Sequence, residues 1–166
     1  MTHAHAADPQ ADGPLPIVVL GPCDAGELLT LQRAAYVTEA AAHHDFELPP
    51  LTETLTELTD QLNDPAVTAL GIRDRGRLIG AVRLRHSGAA VHLGRLIVAP
   101  DRQGEGIGTR LLLHVEAVHP GIHELRLFTG EHSTANLRLY TRHGYRETGR
   151  TPAGTYHLVH LVKLLD

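Results

Sequence analysis

Hydrophobic positions along the chain switch between two periods, and the switches outline the elements. Residues 15–20 form a short apolar run closed by Gly21-Pro22, which predicts an edge strand. Asp24, with Glu27 three residues on, has the form of a helix capping box. Leu28, Leu31, Ala35 and Val37 then recur at helical spacing to about Ala42. Residues 43–50 are a loop ending in Pro49-Pro50. A second helix follows, capped by Thr52, with Leu55, Leu58 and Leu62 on one face and Asn63-Asp64-Pro65 as its stop. Strand-like runs take over at 66–73 and 77–85, separated by Asp74-Arg75-Gly76, a hairpin turn. His86-Ser87-Gly88 is another turn, and residues 89–98 form a longer strand ended by Ala99-Pro100. Ile107, Leu111, Val115 and Val118 restore the helical period until Pro120-Gly121. A strand at 122–129, a helix at 134–143 and strands at 145–148 and 155–164 complete the chain. Strands split first by turns and then by helices predict an α/β fold, a mixed sheet with helices on both faces.

Composition narrows the class. The 166 residues are 42% hydrophobic and 20% charged, which suits one globular domain with a core of its own. Residues 1–14, rich in Ala, Asp, Pro and Gly, read as a disordered tail, and residues 15–166 as the domain. The net charge of −4 argues against a nucleic-acid partner. The single cysteine, Cys23, excludes a disulfide framework or a Cys-rich zinc site and suits a reducing, cytoplasmic compartment. No apolar run is long enough to cross a membrane, and the first ten residues lack the flanks of a signal peptide.

The most informative segment follows the strand ending at Pro100. Gln103-Gly104-Glu105-Gly106-Ile107-Gly108 leads straight into a helix. Glycines let backbone N–H groups approach a ligand closely, and a helix N-terminus adds partial positive charge, so the turn suits a phosphate or pyrophosphate. A P-loop would need a lysine that is absent here. A dinucleotide fingerprint would need glycine where Thr109 stands.

At this point the sequence resembles the GNAT family of acyl-CoA N-acyltransferases. The family's pyrophosphate motif, Gln/Arg-x-x-Gly-x-Gly/Ala, is met by Gln103, Gly106 and Gly108, and Leu96-Ile97-Val98-Ala99-Pro100 matches the strand before it. A second signature follows: Asn136, Tyr140 four residues later, then Gly144-Tyr145 opening a strand. The resemblance covers nearly the whole chain. It implies a GNAT-like fold, with a central mixed, mostly antiparallel sheet, and acetyl transfer from acetyl-CoA to a primary amine by direct attack in a ternary complex. It further implies that the turn at Gln103, Gly104, Glu105, Gly106, Ile107, Gly108 and Thr109 holds the pyrophosphate. The edge at Leu96, Ile97 and Val98 would pair with the pantetheine arm, Asn136 would touch the cofactor, and Tyr140 would protonate the departing thiolate. A homodimer is a further implication, with residues 156–165 apolar enough to continue a sheet across an interface. No metal is implied.

The chemistry sets its own demands. An amine with a pKa of about 10.4 is free base in roughly one molecule of a few thousand at neutral pH, so a proton must be removed. His92 lies in the strand before the turn, and strict alternation places it on one face with Gly94, Leu96 and Val98, opposite Leu93 and Arg95. An imidazole suits a general base. Glu47, His43 and His44 are further candidates, in the loop that borders the acceptor site in the family. Arg83 and Arg85 share a strand face, which reads as solvated. The acceptor is expected to be a small molecule. A peptide acceptor and a non-catalytic acyl-CoA sensor are the alternatives.

Overall fold

The computed structural model describes residues 13–117 and 120–166. Its elements run β1 (Ile17–Leu20), α1 (Ala25–His43), a one-turn α2 (Pro49–Thr52), α3 (Leu55–Asn63), β2 (Val67–Asp74), β3 (Arg77–Ser87) and β4 (Ala90–Val98). They continue with α4 (Ile107–Ala117), β5 (Glu124–Gly130), α5 (Thr134–Arg142), β6 (Arg146–Ala153) and β7 (Tyr156–Leu164). The strands form one seven-stranded sheet in the order β1-β2-β3-β4-β5-β7-β6. Neighbours are antiparallel except β4 and β5, which run parallel. The α/β, mostly antiparallel architecture is the one expected. Of the expected tail, residues 1–12 lie outside the described residues, as does Val118 at the expected end of α4.

The sheet has a core on each face. On one, α1 and α3 pack Leu28, Leu31 and Leu58 against Ala69, Leu78, Ala81 and Ile97. On the other, Ile107, Leu111, Leu112 and Val115 of α4 and Tyr140 of α5 pack against Ile72, Ile79, Val82, Leu93, Leu125 and Val159. Gly80 lets α4 sit this close, because a Cβ there would lie 2.5 Å from Cγ2 of Ile107. The β2–β3 turn matches its sequence: Arg75 and Gly76 both have positive φ, 48° and 84°, as a two-residue primed turn requires.

Several local expectations are corrected. Asp24 and Glu27 do not form a capping box. Asp24 accepts from the Gly21 N–H at 2.8 Å and from Arg73, while Glu27 accepts from Arg73 and from the Leu78 N–H, tying the start of α1 to the β2–β3 hairpin. The cap of α3 is Thr54, boxed with Glu57, instead of Thr52, so the helix begins two residues later than that cap implied, at the first leucine of its pattern. Arg83 is not solvated; it is buried, as described below. Nor is the last strand an edge. β7 is paired on both sides, to β5 and to β6, so residues 156–165 present no free edge to a second subunit, and the strand at that end of the sheet is the exposed, charged β6.

Candidate active site: a forked sheet beside a glycine turn

The site is built by a fork. β4 and β5 pair only through Ala90, Val91 and His92, opposite Glu124, Leu125 and Arg126. Beyond that point β4 carries a bulge: the β3 register jumps from Ile97 to Gly94, leaving Arg95 and Leu96 opposite Val82, and Arg95 adopts φ 51°. A bulge bends its strand. The edges of β4 and β5 past His92 therefore face a slot rather than each other.

The bulge also breaks the alternation that grouped His92 with Leu96 and Val98. Leu96 and Val98 pack on the α4 side with Leu93. His92 is exposed on the opposite side, where it lines a pocket with Gln61, Arg83 and Arg85. One extra residue shifts every later side chain to the other face.

Downstream of the slot lies the glycine turn. Gly104 and Gly106 have φ of 81° and 78°, a conformation that side chains rarely adopt, and nothing lies within 4 Å of where their Cβ atoms would be. Gly108 sits in the first turn of α4, where backbone N–H groups lack helical partners. Gln103, Gly104, Glu105 and Gly106 are exposed, Gly108 and Thr109 half-buried. The side chains of Ile97 and Ile107 are core, so only their backbone can face a ligand. Arg102 clamps the turn, donating to Glu105 at 2.7 Å and to Asp74 at 2.8 Å, and Arg77 pairs with Asp101. That pairing pushes the Asp101 carboxyl down to about 2.

Inside the fork a cavity of about 90 Å³ is lined by residues of α1, β4, β5 and α5, among them Tyr36, Glu39, Leu96, Asn136 and Tyr140. Tyr140 is 6% exposed, its ring edge-on to Tyr145 at 5.6 Å. Among the described residues its hydroxyl has no hydrogen-bond partner. Burial, reinforced by Tyr36 and Glu39, pushes its ionisation further above the ordinary tyrosine range, so the hydroxyl keeps its proton at neutral pH. Asn136, one helical turn earlier, donates from Nδ2 to Glu39 at 3.2 Å, and Ser133 donates to the other carboxylate oxygen.

Sequence spacing brings Asn136 and Tyr140 together but does not reveal Glu39, Tyr36 or Arg95. Glu39 reaches the site from the far end of a 19-residue helix, and no local pattern marks it. His43 is likewise neither a loop residue nor solvated. It ends α1, is 4% exposed, donates from Nδ1 to the Glu39 carbonyl at 2.9 Å and accepts at Nε2 from the His132 N–H at 3.1 Å. Both ring nitrogens are thus committed to structure. Gly130 makes room for it, since a Cβ there would fall 2.2 Å from its Nε2. His44 and Glu47 are exposed and line neither pocket.

The model of the acetyltransferase (GNAT) family matches residues 32–145, which include the fork, the glycine turn and the Asn136–Tyr140 helix. The chain belongs to the GNAT family. The family is described as one of acetyltransferases. Among curated relatives it is similar to the UPF0157 protein YqkA of Bacillus subtilis, with 28% identity over 123 residues, covering 74% of this chain and 35% of that one. It is also similar to the peptidyl-lysine N-acetyltransferase YjaB of Salmonella typhimurium, with 28% identity over 110 residues, 66% of this chain and 71% of that one. The chain thus spans about a third of the first relative. Among solved structures, the PaiA N-acetyltransferase of Thermoplasma acidophilum in complex with coenzyme A superposes with a TM-score of 0.77, at 20% identity, over 89% of this chain and 98% of that one. Arabidopsis thaliana NAA60 in complex with a bisubstrate analogue gives 0.73, at 16% identity, over 92% and 99%. These two likenesses carry the fold.

Among the described residues, no three His, Cys, Asp or Glu side chains converge on a point that could hold a metal ion, and no helix is long and apolar enough to cross a membrane.

Proposed function

We propose that the chain transfers the acetyl group of acetyl-CoA to the primary amine of a small molecule, by direct attack within a ternary complex. The observation that carries this reading is the Tyr140 hydroxyl: carried on a buried ring, protonated, lining the cavity in the fork upstream of the glycine turn, and without a hydrogen-bond partner among the described residues. The backbone of residues 103–109 cradles the pyrophosphate, and the free edge of β4 at Leu96, Ile97 and Val98 pairs with the pantetheine arm. Asn136, whose amide is held by Glu39, offers its carbonyl oxygen to the same arm. The amine nitrogen attacks the thioester carbon, the C–S bond breaks, and Tyr140 gives the leaving sulfur its proton. The proton lost by the amine passes to His92, which lines a second pocket, of about 290 Å³, that meets the first at Leu93, Gly94, Arg95 and Phe128. A pocket of that size supports a small acceptor. The peptidyl-lysine activity named for YjaB favours a peptide as the second reading. Mixing the protein with acetyl-CoA and a panel of small amines and lysine peptides, and following free thiol, tests both. No thiol above the rate of hydrolysis with any acceptor would sink the transfer itself.

Two predictions separate the roles. Gly108→Val leaves folding nearly intact, because a Cβ at that helical position meets Val98 at 3.6 Å, an ordinary contact, and valine costs well under about 1 kcal/mol in a helix. Acetyl-CoA affinity falls at least about tenfold, since the branched side chain stands where the pyrophosphate must approach. Calorimetric titration alongside a thermal melt checks this, and unchanged affinity in the folded variant removes the pyrophosphate from that turn. For the base, the acidic limb of kcat/KM against pH disappears in His92→Ala and persists in Glu39→Gln. Persistence in the first and loss in the second would transfer the role to Glu39.

A further inference from the structure

The second pocket is walled by Arg83, Arg85, His92 and Arg95, and no aspartate or glutamate lines it. Two of the three guanidinium charges are matched nearby: Arg83 pairs with Glu53 at 2.9 Å and Arg85 with Asp64 at 3.0 Å. Arg95 is different. It forms no ion pair among the described residues; its guanidinium lies 6.0 Å from the ring centre of Tyr36, interacts with that residue's hydroxyl and at longer range with the Glu53 carboxylate, and its Nε is buried without a hydrogen-bond partner. A buried donor left unpaired costs about 1–3 kcal/mol. The backbone beneath it is held at φ 51°, which an arginine adopts at a cost of its own. Arg95 lines both pockets, whereas residues 103–109 line neither, so the pyrophosphate is not its partner.

We infer that Arg95 receives an anionic group of the acceptor, so that the preferred substrate is a small primary amine carrying a carboxylate or phosphate a few bonds from its nitrogen. The inference rests on the acetyl-transfer reading for the amine and on the geometry of Arg95 for the anion. A guanidinium presents a rigid fork that matches a carboxylate or phosphate. With its anion on Arg95, where the two pockets meet, such an acceptor would place its nitrogen near the thioester. Diamines and aminoglycoside-like polycations would instead bring positive charge against the second pocket, whose lining includes three arginines and no carboxylate, Glu39 lining only the first. The overall net charge of −4 therefore does not describe the surface an acceptor meets.

The test compares matched acceptors. Amino acids are set against their amides, aminoalkyl phosphates against amino alcohols, and both against diamines. Wild type is expected to favour the anionic member of one pair by about tenfold to a hundredfold in kcat/KM, and whichever pair shows the preference identifies the anion. Arg95→Gln should abolish the preference, bringing the ratio of kcat/KM for the anionic and neutral members to about one through KM of the anionic member, and Arg95→Lys should keep part of it. A preference for neutral or dicationic amines, or one that survives in Arg95→Gln, overturns the inference. Should Arg95→Gln fail to fold, wild type decides alone, by calorimetric titration of an N-acetyl amino acid and of its amide into the protein loaded with coenzyme A. Tighter binding of the carboxylate supports the site, and equal binding removes it. Tighter carboxylate binding with no turnover of any amine leaves the anion site standing and sinks the transfer reading instead.

Discussion

Tyr140→Phe lowers kcat by about a hundredfold and leaves acetyl-CoA affinity near that of wild type. The ring stays, so its packing against Tyr145 and the α4-side core survives. What is lost is one hydroxyl with no hydrogen bond to give up among the described residues. Its proton is never released to solvent at working pH, because burial holds the phenol neutral. The role proposed for it is therefore that of a donor and not a base. General acid–base steps are worth about 10²- to 10⁴-fold, and a thiolate leaves tolerably well unaided, so the lower end applies. A hundredfold corresponds to about 2.7 kcal/mol of barrier. Single-turnover kinetics, which exclude product release, measure it. A folded variant that transfers acetyl at the wild-type rate would reduce Tyr140 to a packing residue.

Arg83→Met costs the fold more than any change in the active site. Arg83 and Glu53 meet side by side, Nη1 on Oε1 and Nη2 on Oε2, both at 2.9 Å. Gln32, 0% exposed, bridges them: it accepts from Arg83 at 2.6 Å and donates to Glu53 at 2.7 Å and to the Pro50 carbonyl at 2.9 Å. Gln61 closes the ring from α3. This ring joins α1, the α2–α3 segment and β3. Breaking a buried pair by removing one partner typically costs about 3–5 kcal/mol, a large share of the stability of a domain this size.

The pH dependence carries the diagnosis. Burial alone would raise the Glu53 carboxyl, but hydrogen bonds from Arg83 and Gln32, with the charge of Arg83, hold it below its ordinary value. Its folded value is thus depressed. In wild type this contributes stability above about pH 4.5 that is lost as pH falls through the folded value. Without Arg83, burial dominates, the folded value rises, and the cost of a charged Glu53 fades on acidification. Denaturant midpoints at pH 7 and near pH 4 should therefore converge between variant and wild type. Adding Glu53→Gln to the variant should recover part of the loss at pH 7. A midpoint at pH 7 unchanged by Arg83→Met would mean the ring is dispensable.

Local chemistry accounts for what the sequence discloses. The glycine turn is legible because Gly104 and Gly106 need positive φ next to a well-patterned helix, and few other demands produce that spacing. Asn136 and Tyr140 are legible because they lie one helical turn apart. The β2–β3 hairpin announces itself through Arg75-Gly76. What stays hidden depends on contacts between distant elements. Glu53 looks like any solvated acid until α1 and β3 close over it. Gly94, an isolated glycine inside a strand, is the one local hint of the bulge, but the positive φ falls on Arg95 beside it, and strict alternation carries His92 to the wrong neighbours. His43 sits in a run that reads as a polar loop, and only the proximity of Gly130 and His132 shows it to be a wedge between α1 and β5.

The fork also divides the sheet into blocks of four and three strands, β1 to β4 and β5-β7-β6, whose backbones meet through three residue pairs. Elsewhere the ladders run for up to eight pairs. Backbone cooperativity is therefore weakest along this one seam, and the two blocks depend on side chains such as Val91, Leu125 and Val159 to behave as one body. A molecule lying in the slot and bonding to the lip of β4 would extend the ladder where the protein leaves it unfinished. A substrate in this position would also be a missing piece of secondary structure, and the blocks would be most firmly one domain with the slot filled.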